Sequence, residues 1–200
     1  DPIAPRDQQP DKIKALVTYL FARDAEQILF MDARARVSEI CQTLDARYEF
    51  DYDLIWPVMD MAKYDPPLSG GHYKSIRNAH NKFYRAHQVT IVPAAGFDQS
   101  SLHALIERWH QHRLKAGREE LFPARYHRLI DANFRGANSA RVMLADGQVV
   151  GLNAGWETPN QPAQWSAAIG LHDFSNKDLG LILLIEDLNW IKQAGYHSAD

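Results

Sequence analysis

Gln164-Trp165-Ser166-Ala167-Ala168-Ile169-Gly170-Leu171 opens the stretch whose reading decides the fold, and Gly195 closes it. The octet is small and apolar enough to form a buried strand. His172-Asp173-Phe174 leads out of it. Ser175-Asn176-Lys177-Asp178 then has the S-x-x-D spacing of a capping box, which predicts a helix start. From there to Ala194 the period is helical. Leu181, Leu184, Ile185, Leu188 and Ile191 share one stripe, and Asp178, Glu186, Asn189 and Gln193 fall mostly opposite. Gly195 stands where a left-handed residue ends a helix, and residues 196–200 begin another strand. A buried strand that feeds a helix N-terminus and returns to a strand is a common place to hold a ligand.

Working back from this unit, Asp146-Gly147 lies between the apolar runs 140–145 and 148–157, the best hairpin signal a short sequence offers. With the Gln164 strand these runs make a three-stranded meander. Helices are expected over 101–115 and over 123–134, where Pro123 suits a first turn. His72 to His87 reads as a basic amphipathic helix with Tyr73, Ile76, His80, Phe83 and His87 on one face. A short strand follows over 89–92. Tyr64-Asp65-Pro66-Pro67-Leu68-Ser69-Gly70-Gly71 is the strongest breaker, and a lobe boundary is expected there, dividing 1–65 from 66–200. Before it, helices are expected over 11–26 and 37–44, and strands over 27–31 and 48–56. The alternation predicts an α/β class with helices layered on a sheet.

Composition narrows the classes. The chain has 200 residues, 46% hydrophobic and 24% charged, with a formal net charge of -3, so no global pull toward nucleic acid or membrane exists. The longest apolar run, 179–191, is shorter than a membrane span and carries Glu186, Asp187 and Asn189. The single cysteine, Cys41, cannot form an internal disulfide, which fits a reducing, cytoplasmic setting. The absence of an initial methionine and the end at a nascent strand lead us to expect a piece of a longer protein. No zinc spacing, nucleophile elbow, Walker loop or dinucleotide loop occurs. No metal and no bound cofactor are therefore expected.

The element order resembles the core of the GNAT acyltransferase fold. Gly71-His72-Tyr73-Lys74-Ser75-Ile76-Arg77-Asn78-Ala79-His80-Asn81-Lys82 is similar to the G-K-x-x-x-x-R-x-x-x-N-K/R run in the C-terminal domain of phosphatidylglycerol lysyltransferases. Asp1-Pro2-Ile3 is similar to that family's G-D-P-I segment, and Tyr52-Asp53 to Asp60 to the strand before its basic helix. The related Fem-type peptidoglycan aminoacyltransferases share the layout. The resemblance implies an α/β (α+β) GNAT-like fold, a mixed, largely antiparallel sheet flanked by helices, in tandem lobes. The segment 1–65 would end the first lobe and 66–200 form the second, truncated at its C-terminus. It also implies transfer of an aminoacyl group from aminoacyl-tRNA to an amine or hydroxyl on a small-molecule, lipid or peptide acceptor.

The alternative donor is acetyl-CoA, and a further alternative is a non-catalytic binding module. Acyl-CoA enzymes resemble Q/R-x-x-G-x-G/A at the helix N-terminus, where backbone amides approach pyrophosphate. Here Ser175 to Gly180 places Asp178 in the first glycine's position with Asp173 just before it, and two carboxylates repel a pyrophosphate. Lys74, Arg77, Asn78, Lys82 and Arg85 would contact RNA phosphates; the commoner meaning of such a face is plain solvation. Candidate catalytic groups are Asp173 and Glu157, set against readings as a helix-capping residue and a strand-end surface carboxylate. His172 reads as a loop histidine. Trp156 and Trp165 would line an acceptor pocket or pack on each other, and Gly180 would sit against the donor. Arg113 would meet a carboxylate or phosphate, or simply end its helix.

Overall fold

The computed structural model describes residues 8–28, 30, 35–44, 47, 49, 57–117, 122–158, 161 and 163–200. It separates into two compact units, 1–57 with 158–162, and 58–157 with 163–200. The expected boundary at 65 lies eight residues later. Residues 58–65 join the second unit because Met61 is fully buried beside Trp165, Leu188 and Ile191, and Met59 pairs with Ala199. The expected strand over 48–56 and the Asp1-Pro2-Ile3 segment lie outside the described residues, apart from Glu49. So does part of the expected strand over 27–31, whose described residues are not in a strand.

The first unit contains helices α1 (Gln9–Phe21) and α2 (Ala35–Cys41). Pro10 sits in the first turn of α1, where a missing amide proton costs no hydrogen bond. Ile13 and Val17, one turn apart, bury against Val37, Ile40 and Cys41. Burial pushes the Cys41 thiol up.

The second unit is built on a six-stranded sheet of order β1-β6-β5-β4-β3-β2. Its strands are β1 (Met59–Asp60), β2 (Val89–Pro93), β3 (Ser139–Ala145), β4 (Gln148–Glu157), β5 (Gln164–His172) and β6 (Ser198–Ala199). Among the described residues only β5 and β6 pair in parallel. The helices are α3 (Lys74–Ala86), α4 (Gln99–Lys115), α5 (Pro123–Asp131) and α6 (Leu179–Gln193). The meander forms as its pattern demands, and Asp146 and Gly147 take φ of 52° and 79°, the left-handed pair a two-residue hairpin needs. This is the mixed, mostly antiparallel sheet flanked by helices expected for a GNAT-like fold.

Strand alternation sends neighbouring residues to different layers. Val142, Leu152 and Leu171 pack with Leu102, Leu105 and Ile106 of α4 and Ile130 of α5. Met143 and Val150 pack with Phe83 of α3 and Leu179, Ile182 and Leu183 of α6.

Two details of the deciding stretch differ from expectation. The capping box does not form. Helix α6 starts at Leu179, so Asp178 is its N-cap residue rather than its third position, and its left-handed φ of 62° leaves its side chain without a capping bond. The apolar stripe is right in part: Ile185, Leu188 and Ile191 are buried, but Leu184 is 48% exposed, and Ile182, Leu183 and Asp187 are buried as well. The helix packs on both the sheet and α3, so more than one stripe is covered.

Candidate functional site

Strand β5 ends at His172, and the backbone turns through residues 173–178 into α6. The Asp173 amide donates to the Val150 carbonyl at 2.8 Å, which carries the β4 contact past the strand end. Its carboxylate is doubly engaged. Oδ1 accepts the Ser175 amide at 2.9 Å, and Oδ2 accepts Arg108 Nε at 2.7 Å. Arg108 Nη2 also donates to the Val149 carbonyl at 2.8 Å, so one guanidinium ties α4 to both β4 and the turn. Burial raises the Asp173 carboxyl, but the Ser175 and Arg108 hydrogen bonds outweigh it and hold it below the usual carboxylate range. A carboxylate so paired is a weak base. Its geometry suits a positioning group that shapes the turn.

His172 is half-buried, and desolvation, aided by His112 and Arg113, pushes its imidazole below the usual value. Its ring packs on Phe174 at 4.3 Å between centroids, and Phe174 stacks on His112 at 4.1 Å. At Gly180 an added Cβ would lie 2.6 Å from His172 Cε1, so any side chain there would have to displace the imidazole. Arg113 Nε is buried without a hydrogen-bond partner among the described residues. A cleft of about 410 Å³ opens beside the turn, lined by Arg108, Asp173, Ser175 and Asn176 and, from the β3–β4 hairpin, Asp146 and Gln148. At its rim His87 Nδ1 meets Asp146 Oδ2 at 2.7 Å, and this bond, with the Gln88 amide, lowers the Asp146 carboxyl.

The structure divides the residues predicted to act together. Glu157 pairs with Trp165 at the start of β5, and Asp173 follows its end. Eight residues of strand separate the two levels, about 26 Å at ~3.3 Å per residue. The two candidate carboxylates therefore belong to opposite ends of the sheet, not to one groove. Glu157 accepts the Tyr196 hydroxyl at 3.2 Å, beside a Trp156 that is 38% exposed. Trp165 is 1% exposed and packs on Trp190 and Tyr196 at 4.9 and 5.0 Å. It is core, and neither an acceptor wall nor a partner of Trp156.

On α3, Lys74, Asn78, Lys82 and Arg85 recur at spacings of four and three, and all four are exposed along one face. Arg85 Nε donates to the Asn81 carbonyl at 3.1 Å. Arg77 is occupied otherwise: its guanidinium donates to the carbonyls of Leu68 and, at 2.8 Å, of Gly70, clamping the turn before the helix. His103 meets His127 of α5 at 2.7 Å between Nδ1 atoms, with Asp131 and Glu107 on their Nε2 atoms at 3.1 Å. Among the described residues no three His, Cys, Asp or Glu gather to hold a metal, and no helix is long and apolar enough to cross a membrane.

Residues 1–195 match the model of the phosphatidylglycerol lysyltransferase C-terminal family, and the chain belongs to that family. No curated protein sequence matches it. Among solved structures it is similar to L-PGS from Bacillus licheniformis, 16% identical with a TM-score of 0.52, over 71% of this chain and 44% of that one. A structure assigned as the C-terminal domain of a lysylphosphatidylglycerol synthetase from Agrobacterium fabrum is 15% identical, TM-score 0.52, over 71% and 43%. A conserved protein of unknown function from Bacteroides thetaiotaomicron is 18% identical, TM-score 0.57, over 94% and 65%. The chain spans less than half the length of the first two, and at these identities the likeness is one of fold.

Proposed function

We propose, taking family membership as the premise, that this chain belongs to an acyltransferase that moves an aminoacyl group from aminoacyl-tRNA to an amine or hydroxyl acceptor. The observation that carries the choice of donor is electrostatic. The turn before α6 presents Asp173, fixed by Arg108 and Ser175, and Asp178 at the N-cap, where coenzyme A would need a site for pyrophosphate. The exposed face of Lys74, Asn78, Lys82 and Arg85 offers instead evenly spaced contacts for a phosphate backbone.

The chemistry asked of the protein is modest, because the donor ester is already activated. The acceptor nitrogen or oxygen attacks the ester carbonyl and loses its proton. The tetrahedral intermediate collapses, and the ribose hydroxyl leaves with a proton. The protein must orient the two substrates and place hydrogen-bond donors at the developing oxyanion. In this reading Asp173 and Arg108 shape the turn. The acceptor is a small molecule, a lipid or a peptide.

A second reading, a binding module without turnover, draws on one observation: Asp173 is paired and His172 is packed between Phe174 and Gly180, so neither is a poised base. Titration of aminoacyl-tRNA into the chain tests the donor, and release of free tRNA on addition of an amine separates turnover from binding alone. Lys74→Glu with Lys82→Glu should weaken binding by at least about tenfold at low salt while leaving the unfolding midpoint unchanged. Equal binding by the double variant overturns the RNA reading. Arg77 is left intact because its loss would open the 68–70 turn.

A further inference from the structure

A second pocket lies along α6, away from the cleft at its N-terminus. Glu186 is seven residues beyond Leu179, about 10 Å along the helix axis. The pocket has a volume of about 320 Å³ and is lined by Arg141, Glu186, Asn189, Trp190, Gln193 and Ile91. That is the lower end of the range for small-ligand sites.

The charges on its walls can be followed one by one. Arg141 reaches from β3 to Asp187 in a short ion pair, with both side chains nearly buried. The Arg141 guanidinium also lies 4.3 Å from the centroid of the Trp190 ring. Its positive charge is thus matched by Asp187, and one face of the indole is covered. Lys192, the next cation on α6, donates to the carbonyls of Met61 and Tyr64 instead. Among the described residues no lysine or arginine pairs directly with Glu186, although the Arg141 guanidinium feels its charge. Its Oε1 accepts His80 Nε2 at 2.8 Å and Tyr84 Oη at 2.8 Å, and Oε2 has no partner among the described residues. The side chain is 18% exposed, on the pocket wall. Asn189 Oδ1 accepts the Tyr64 hydroxyl at 2.9 Å, and Asn189 also lines the pocket.

We propose that this pocket binds the primary ammonium group of a small molecule, with Glu186 Oε2 as its counter-ion. An ammonium brings three donors and no acceptor, which complements a carboxylate oxygen with free lone pairs. A quaternary ammonium suits the site less, because it has no N–H for Glu186 and the indole face it would favour already carries Arg141. An anion would have to draw Arg141 away from Asp187 and then face Glu186 across a small pocket. Nothing in this assignment depends on the donor of the transfer reaction.

The test is a titration of the chain with n-butylamine, butyramide and sodium butyrate at neutral pH and low salt, read from the Trp190 indole N–H resonance. The resonance is assigned by its loss in Trp190→Phe. Butylamine should shift it saturably, and the other two should not. Glu186→Gln should weaken the amine by about tenfold, since it removes the charge and keeps the shape. Asn189→Asp should tighten it several-fold by adding a second carboxylate that still accepts from Tyr64, so the proposal remains testable if Glu186→Gln fails to fold. Butyrate binding as well as the amine, an unshifted resonance up to high amine concentration, or indifference to both substitutions would overturn it. No tRNA is present, so this outcome and that of the RNA titration are scored separately.

Discussion

The two layers flanking the sheet of the second unit differ in what they bury. Beneath α4 and α5, Leu102, Leu105 and Ile106 are fully enclosed against Val142, Leu152 and Leu171, and that cluster is apolar throughout. Beneath α6, Asn153 donates to the Leu183 carbonyl at 3.1 Å, Asp187 is buried on Arg141, and Glu186 joins His80 and Tyr84. An apolar layer is stabilised by area and shape and tolerates conservative change. A polar layer is sensitive to the loss of single partners and specifies one arrangement. Both layers hold an apolar cluster, but the buried ion pair and the second pocket lie on the α3–α6 side.

The sharpest way to break this comparison is to strand a charge. Asp187→Leu should cost about 3–5 kcal/mol in urea unfolding, because Arg141 cannot deprotonate and is left unpaired. Arg141→Met with Asp187→Leu should recover most of that loss. Burial pushes the Asp187 carboxyl from 3.8 up to about 6 despite Arg141 beside it, so between those values the folded chain holds more protons than the unfolded one. The Asp187 contribution is thus full below pH 3.8 and lost as pH rises through about 6. Wild type measured against Asp187→Asn should lose relative stability over that window, and a flat or rising difference would show that the pair is not desolvated.

On the apolar side, Leu105→Ala should cost about 2–5 kcal/mol, with no pH dependence of the difference. A cost below about 1 kcal/mol would mean the layer collapses around the cavity and is less tightly packed than its burial indicates. At the site turn, Gly180→Ala drives a methyl toward the His172 ring and should cost about 1–3 kcal/mol, read as a lowered thermal midpoint. An unchanged midpoint would show that the ring swings out freely.

What the sequence made legible was local. The Asp-Gly hairpin, the Gln164 strand and the helix ending before Gly195 each rest on patterns read over a few residues, and they form. The misreadings came from distant partners. Asp187 counted only against a membrane span, because the cation that buries it lies 46 residues away on β3. Arg77 looked like a phosphate ligand because the turn carbonyls that take its guanidinium carry no side-chain signature. The S-x-x-D spacing was present, but a left-handed Asp178 delays the helix by three residues. The separation of Glu157 from Asp173 was within reach of counting strand residues along an antiparallel pair.

The smallest expected effect on stability comes from the exposed face of α3, and it separates folding from binding. Lys82→Ala removes an exposed side chain with no hydrogen-bond or ion-pair partner among the described residues, so unfolding should change by less than about 0.5 kcal/mol. If that face follows a phosphate backbone, the same substitution should weaken tRNA binding uniformly across tRNA sequences. It should also lower the slope of log affinity against log salt by about one contact's worth, ~0.7–0.9. Arg85→Ala should act alike, and the pair should add. A lost slope with unaltered stability identifies Lys82 as a phosphate contact. An unaltered slope with weakened binding would mean that Lys82 acts through the shape of α3, and a change in neither would leave the face as ordinary solvated surface.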